Sequence, residues 1–422
     1  MYNLCPVVGI DVAKEFSYYA ILSPQGEPFT KTFKGFNDKE GLDFVLRKLK
    51  KVENAFHSKP AIVLESTGHY SQRIVHFFYN RGFKVFLINP LISHSIKSSL
   101  IRKVKTDKVD AEELARLYFI KPLKEVKLHN DYFLNLKILS RTAVLLAEQR
   151  VNMMNQFTAA VEQVMPTYPK IFSNIASEAS LALLAKYPSP HSLQQASKQD
   201  IIDIIGSASR RGLKYSEGKY EAIIKCVEDS KSIGIMLEAY FDVISVYVSN
   251  LQHITSKIKE IEKKIELLSA DLPTITLLES IPGIGSKLAP IIAGEIGDIH
   301  RFHNAKQLVA YCGIDPSVKQ SGNFTGTKNR ITKRGSPFLR KALYIAASVV
   351  VRKGTKGKFV NPVLHEYYQQ KIQSKANKQA LGAIMNKLIR IIYSVLKNSK
   401  PFEMITPKEQ EERYKQISKS VA

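Results

Sequence analysis

Ten apolar residues recur three and four apart without a break: Leu237, Tyr240, Ile244, Tyr247, Leu251, Ile254, Ile258, Ile261, Ile265 and Leu268. An a/d stripe of this kind suits only a helix. Carried from residue 237 to residue 268, it makes one of roughly 48 Å. A continuous apolar edge of that length needs a partner. The partner is either a second long helix of the same chain, with 131–165 the evident candidate, or the same edge on another subunit. The middle of the chain is therefore helical, and whatever precedes and follows it must fold around long rods.

The texture on either side differs. Before residue 128, short apolar runs alternate with amphipathic stretches. A strand is expected at 7–10, another at 16–22, a turn at Pro24-Gln25-Gly26 and a third strand near 29–33. A helix near 39–52 follows, then a strand at 61–64, a helix at 70–80 and a strand at 84–88 closed by Asn89-Pro90. The order β-β-β-α-β-α-β is that of ribonuclease-H-like sheets. Pro166 ends the first long helix, and 167–218 reads as a helical insert. After Pro273 come further helical runs, among them apolar stretches at 342–351 and 388–395. The fold class expected is α/β plus all-α. Its parts are a first domain at 1–128, a helical coiled-coil region at 129–272, a mostly helical domain at 273–400 and a mobile tail at 401–422.

Charge narrows the partners. The 422 residues carry 62 Lys+Arg against 38 Asp+Glu, a net of +24. Residues 301–400 hold 20 basic residues against only Asp315 and Glu366, so three quarters of the excess lies in one hundred residues that also contain core-forming runs. A folded basic face of this kind attracts the phosphate backbone of nucleic acid. Lys328, Arg330, Lys333, Arg334 and Arg340 lie in it, and Lys105 and Lys108 form a smaller group near residue 107. Ile281-Pro282-Gly283-Ile284-Gly285 precedes a helical run at 286–296. Gly283 and Gly285 would let the backbone turn closely, and the helix start with Lys287 would face a phosphate, the pattern of a helix-hairpin-helix. Three distant cysteines, Cys5, Cys226 and Cys312, argue against a disulfide scaffold or a Cys-type zinc site and suit a reducing compartment. No apolar run reaches 18 residues and no signal peptide is read at the start.

Four carboxylates carry the chemistry. Asp11 and Glu65 each follow an apolar strand-like run, where side chains emerge at a sheet end. Asp107 and Asp110, in KTDKVDAEELARLY, lie three apart at the start of a helix and share one face. An acid in a first helical turn ordinarily just complements the helix dipole. Four acids converging make sense around cations, and an oxygen-only set favours Mg2+ over zinc. His69 and Tyr70 follow Glu65 closely and read as structural.

At these residues the chain resembles the DEDD transposases of the IS one-ten / IS eleven-eleven insertion-sequence family, relatives of the Piv DNA invertases. The resemblance rests on VVGIDVAKE, VLESTGHY and KTDKVDAEELARLY, and on the long stretch from LESIPGIGSKLAPIIAGEIGDIHRFHNAKQLVAYCGIDPSVKQSG through NFTGTKNRITKRGSPFLRKALY. It implies that Asp11, Glu65, Asp107 and Asp110 are the Mg2+-binding acidic tetrad of a RuvC-like domain. It implies that the active serine is Ser321, in the Ser-Gly after Gly313-Ile314-Asp315-Pro316, with Ser317 and Ser336 next in line. No histidine lies between His303 and His365, so no local general base is evident. The resemblance supplies the acids and the serine as one composite site. It also implies donor and target DNA, a structured guide RNA (a bridge RNA), a homotetramer and a place at the bacterial nucleoid in the cytoplasm. The chain is longer than compact members of that family, and the insert at 167–218 fits a longer subgroup.

Two other functions fit the residues. A metal-dependent junction-resolving nuclease would use the four acids alone and leave no protein on its product. A non-catalytic nucleic-acid-binding protein would bind in a salt-sensitive way, indifferent to loss of any acid.

Overall fold

The computed structural model describes residues 5–66, 68–90, 106–126, 131–209, 211–316, 320–321, 324–325, 330–354, 357–406, 408–409 and 411–412. Lys105, Ser317 and Lys328, like all residues beyond 412, lie outside them. The chain divides into two compact units, Met1–Leu128 and His129–Ala422.

The first unit is a five-stranded sheet in the order β3-β2-β1-β4-β5, built from β1 (Val7–Val12), β2 (Phe16–Leu22), β3 (Phe33–Phe36), β4 (Ala61–Glu65) and β5 (Val85–Ile88). β1–β2 and β2–β3 pair antiparallel, β1–β4 and β4–β5 parallel. Alternation along β1 sends Val8, Ile10 and Val12 to one face, where they pack with Ile62 and Leu64 under α1 (Lys39–Phe56) and α2 (Tyr70–Tyr79). Val7, with Ala61 and Val63, faces the other way, onto Leu114, Ala115 and Leu117 of α3 (Asp107–Ile120). Asp38 starts α1 by accepting from the Gly41 N–H at 2.7 Å.

Several boundaries differ from expectation: α1 runs on to Phe56, and β4 includes Glu65. The third strand begins at Phe33, not near 29. Pro28 makes only an isolated bridge to Leu22 and has no N–H with which to extend the ladder. β1 continues to Val12, so Asp11 lies within the strand and not just past it.

In the second unit, α4 (Asp131–Val164) packs along α9 (Glu238–Ser269) as an intramolecular helix pair. Ile244, Val248 and Leu251 bury against Phe157, Val161 and Val164. Leu237, the first residue of the stripe, is outside the helix and 57% exposed, and Ile258, Ile261, Ile265 and Leu268 are only half-buried. Between these rods the insert runs from 167 to 234. It comprises a short 3-10 turn, α5 (Glu178–Lys186), α6 (Pro190–Gln195), α7 (Lys198–Ser209) and α8 (Leu213–Ile233) around a core of Tyr168, Leu183, Leu193, Ile205 and Ile223. It extends past 218 because Gly218 sits inside α8, where a lone glycine costs only about 1 kcal/mol. Gly234 is the true stop, pressed so closely on the Val164 carbonyl that a Cβ would lie 2.1 Å from it.

The remaining helices, α10 (Pro273–Glu279), α11 (Leu288–Ile296), α12 (Ala305–Cys312), α13 (Pro337–Val350), α14 (Pro362–Ile372) and α15 (Asn377–Asn398), share one core centred on Leu278, Ile292, Leu308, Leu343 and Leu388. The short hairpin β6 (Gln320–Ser321) and β7 (Phe324–Thr325) lies between α12 and α13. No helix among the described residues is long and apolar enough to cross a membrane.

Candidate active site

Backbone geometry brings the four acids to one corner of the first unit. The β1–β4 register pairs Ile10 with Leu64, so the next step sets Asp11 beside Glu65 on neighbouring strands, about 4.8 Å apart. Both point to the face covered by α3, since they follow Val7 and Gly9, and Ala61 and Val63, in alternation.

Three contacts fix how α3 lies. The Cys5 thiol meets the Tyr118 hydroxyl at 3.5 Å, so the helix end sits over the strand start. A Cβ on Gly9 would stand 1.9 Å from the Ala111 carbonyl oxygen and 2.6 Å from the Ala115 nitrogen, so only glycine lets helix and strand approach this closely. The helix therefore runs antiparallel to β1. Two strand residues beyond Gly9 advance about 6.6 Å, or roughly four helical residues. That puts Asp11 level with 107–111, the turn that carries Asp107 and Asp110. Thr106 caps this turn, its hydroxyl accepting from the Val109 N–H at 3.4 Å, and the positive end of the helix dipole favours the carboxylates there.

Asp107 and Lys108 are exposed, while Asp11, Glu65 and Asp110 are half-buried. Among the described residues no group of three or more His, Cys, Asp or Glu side chains is gathered closely enough to hold a metal ion. The residue types, all oxygen donors, are those a hard divalent cation takes, and the first turn of α3 lies level with the adjacent Asp11 and Glu65, but no three of the side chains converge. The His69 and Tyr70 rings lie against each other at a tilt of 43°, with centroids 4.0 Å apart.

In the second unit, Ser321 occupies β6, paired in register with Phe324 of β7. The root of this hairpin is firmly built. Lys333 N–H donates to the Gly313 carbonyl at 3.0 Å, Thr332 N–H to the Asp315 carbonyl at 3.0 Å, and the Thr332 hydroxyl to the Asp315 carboxylate at 2.6 Å. Arg340 donates from Nη1 to the carbonyls of Cys312 (3.1 Å) and Gly335 (2.8 Å) and so braces the root from below. Arg330, Lys333 and Arg334 are exposed, and Lys333 takes the left-handed backbone conformation at φ 56. Ser336 caps α13, accepting from Leu339 N–H at 3.2 Å.

Beneath that root lies a group that sequence reasoning missed. Glu295 is almost fully buried and takes a two-pronged hydrogen bond from Arg141 of α4, Nε to Oε1 at 2.5 Å and Nη2 to Oε2 at 3.0 Å. Tyr311 donates to the Glu295 backbone carbonyl at 3.0 Å. Burial works to raise the Glu295 carboxyl, but hydrogen bonds from Arg141 and Ser336 and the charges of Arg141 and Lys137 hold it below its ordinary value. The signal was present in the chain: a lone acid inside the apolar run LAPIIAGEI implies a buried, partnered charge.

The turn between α10 and α11 shows two kinds of glycine. Gly283 sits at φ 91, and a Cβ there would stand 2.3 Å from Val350 Cγ1, so it serves packing. Gly285 is exposed, with nothing within 4 Å of where a Cβ would be, and leaves the start of α11 open. Lys287 beside it pairs with Glu262 at 2.9 Å in solvent. Cys5, Cys226 and Cys312 are buried free thiols.

Residues 8–166 match the transposase family model DEDD_Tnp_IS110, and residues 275–369 match the Transposase IS116/IS110/IS902 family. The chain is 26% identical to the pilin gene-inverting protein of Moraxella bovis, across 94% of this chain and 97% of that one. It is 22% identical to the insertion element IS110 uncharacterized 43.6 kDa protein of Streptomyces coelicolor, across 77% and 79%. It is also 29% identical to the transposase for insertion sequence element IS1111A of Coxiella burnetii, across 36% and 41%.

Proposed function

For a chain that belongs to the IS110 family of transposases, and so is a DNA transposase/recombinase, we propose that strands are cut and exchanged by two sets of residues: the acids Asp11, Glu65, Asp107 and Asp110, and the hydroxyl of Ser321. What supports this reading is the register that sets Asp11 beside Glu65 on neighbouring strands, with the helix that begins at Asp107 held against β1 at Gly9. The first unit, with its β3-β2-β1-β4-β5 sheet, is then a RuvC-like domain. Its carboxylates hold divalent metal, Mg2+ by the preference of an all-oxygen set, which supplies charge neutralisation at a phosphodiester. In the second unit, Ser321 forms a bond to phosphorus as the bond to one strand oxygen breaks. That oxygen leaves as a hydroxyl, and attack by a strand hydroxyl later restores the serine.

The exposed Arg330, Lys333 and Arg334 beside the hairpin root neutralise backbone phosphate, and Lys105, Lys108 and Lys328 join them. The α10–α11 turn at Gly283, Gly285 and Lys287 is read as a helix-hairpin-helix holding backbone without reading bases. Arg340 acts indirectly, by bracing the hairpin root. The name of the Moraxella protein says that it inverts a gene, and this chain is assigned the same class of segment rearrangement. A structured guide RNA that pairs with donor and target, and a homotetramer acting on two duplexes at the nucleoid, complete the proposal. The test is strand transfer between two element-bearing duplexes. Asp11→Asn is expected to stop it while leaving duplex binding largely intact; transfer at the wild-type rate would remove the acids from the mechanism.

A further inference from the structure

The outer part of the first unit's sheet carries rings that its core does not use. The register pairs Asp11 with Tyr18, Tyr18 with Lys34, and Phe16 with Phe36, and paired residues share a face. The face that bears Asp11 therefore continues outward as Phe16 and Tyr18 on β2, then Lys34 and Phe36 on β3. None of the four belongs to the buried clusters on either side of the sheet. Phe36 is 52% exposed, although β3 is an edge strand, where an exposed ring invites wrong pairing.

The four side chains form a connected surface. The Lys34 ammonium lies 3.7 Å from the centre of the Phe16 ring and 4.9 Å from that of Phe36, and the Phe16 and Tyr18 rings meet edge-on at 5.8 Å. The surface is also stiffly held. Asn37, just beyond β3, donates from Nδ2 to the Ala13 carbonyl at 2.9 Å and from its backbone N–H to the Glu15 carbonyl at 2.8 Å, and it accepts from the Ser17 hydroxyl at 2.8 Å. These bonds tie the β1–β2 turn to the end of β3, and so hold the backbone that carries Phe16 and Phe36.

Rings alone would suit a protein partner, and lysines alone would suit a duplex backbone. Rings that share one ammonium, two strand spacings or about 10 Å from a carboxylate assigned to a phosphodiester, suit unpaired nucleotides: bases stack on the rings while the cation meets phosphate. We propose that Phe16, Tyr18, Lys34 and Phe36 form a shelf that binds unpaired nucleotides of the strand whose phosphodiester lies at Asp11. The inference rests on the reading of that corner as the place where strands are cut.

The chain contains no tryptophan, so Phe36→Trp in the full-length protein makes this position its sole indole. Titration with a single-stranded oligodeoxythymidylate, in chelator, is expected to quench the emission, and an abasic strand with the same number of phosphates is not. Replacing Phe16 and Phe36 together by Leu is expected to weaken binding of that single strand about 5- to 100-fold, whereas Phe36→Tyr retains it. Equal quenching by the abasic strand overturns the proposal. So does unchanged affinity in a double Leu variant that melts like wild type, or emission that changes with protein concentration before DNA is added, which would mean a second copy covers the shelf. Because chelator is present throughout, quenching that survives beside a failed strand-transfer assay would count against the metal-and-serine reading and not against the shelf.

Discussion

Glu295→Gln isolates the buried charge beneath the hairpin root. The Glu295 side chain is 1% exposed, so its carboxylate keeps almost no water, while Arg141 is 37% exposed. Removing one partner of a buried pair ordinarily costs roughly 3–5 kcal/mol, mostly because the other charge is left uncompensated. Here the surviving charge is the guanidinium, which retains water and lies 4.8 Å from the Phe338 ring centre. The cost is therefore placed at the lower end, about 3 kcal/mol. A double change, Arg141→Met with Glu295→Met, leaves no orphaned charge and is expected to cost less than the single one.

The pH dependence has a definite sign. The folded carboxyl is held below its ordinary value against the effect of burial, chiefly by hydrogen bonds from Arg141 and Ser336. Its contribution is thus complete above the unfolded value of about 4.3 and is lost as pH falls through the lower folded value. Urea unfolding of wild type and Glu295→Gln, followed by circular dichroism, is expected to show a constant gap between about pH 7 and pH 5 that narrows only below about pH 4.3. A gap under about 0.5 kcal/mol at neutral pH, or a double variant less stable than the single, would refute the reasoning.

Gly9→Ala forces a methyl into the Ala111 carbonyl at 1.9 Å, so α3 must withdraw from β1. A loss of stability of at least the roughly 1–3 kcal/mol of overpacking and loss of strand transfer are both expected, read by thermal melting and the two-duplex assay. Asp11→Asn is expected to abolish strand transfer with duplex affinity changed less than about threefold, less than one phosphate contact is worth, in a filter-binding titration. Replacing Arg330, Lys333 and Arg334 together by Gln is expected to flatten the dependence of log affinity on log salt by up to about 2.7 for duplex DNA, measured by fluorescence anisotropy across a salt series.

The parts of the architecture written in local pattern were legible in the chain. The 237–268 stripe foretold a helix that runs Glu238–Ser269, and the apolar runs at 7–10 and 61–64 foretold β1 and β4, although Asp11 and Glu65 lie within those strands and not just past them. What pairs with what was harder. The stripe was compatible with a partner helix in the same chain or in another subunit, and the intramolecular pairing with α4 emerges only when the insert's core buries the ends of both rods. Gly218 looked like a boundary because propensity is local, whereas α8 continues on the strength of Ile223 and Val227 packing. At the site, spacing three apart located Asp107 and Asp110, but their level beside Asp11 follows from the close approach at Gly9, a tertiary contact. The Phe16–Phe36 register and the Arg141–Glu295 pair join residues 20 and 154 positions apart, and such long-range pairings leave little mark in local pattern.

Mass spectrometry of the protein–DNA species trapped during strand cleavage decides whether Ser321 is the group that attacks phosphorus. After tryptic and nuclease digestion, a nucleotide attached to the peptide of residues 320–328 is expected, absent from Ser321→Ala and from reactions in chelator. An attached nucleotide on any other peptide, or cleaved DNA whose 5′ and 3′ ends are all free of protein, would contradict it.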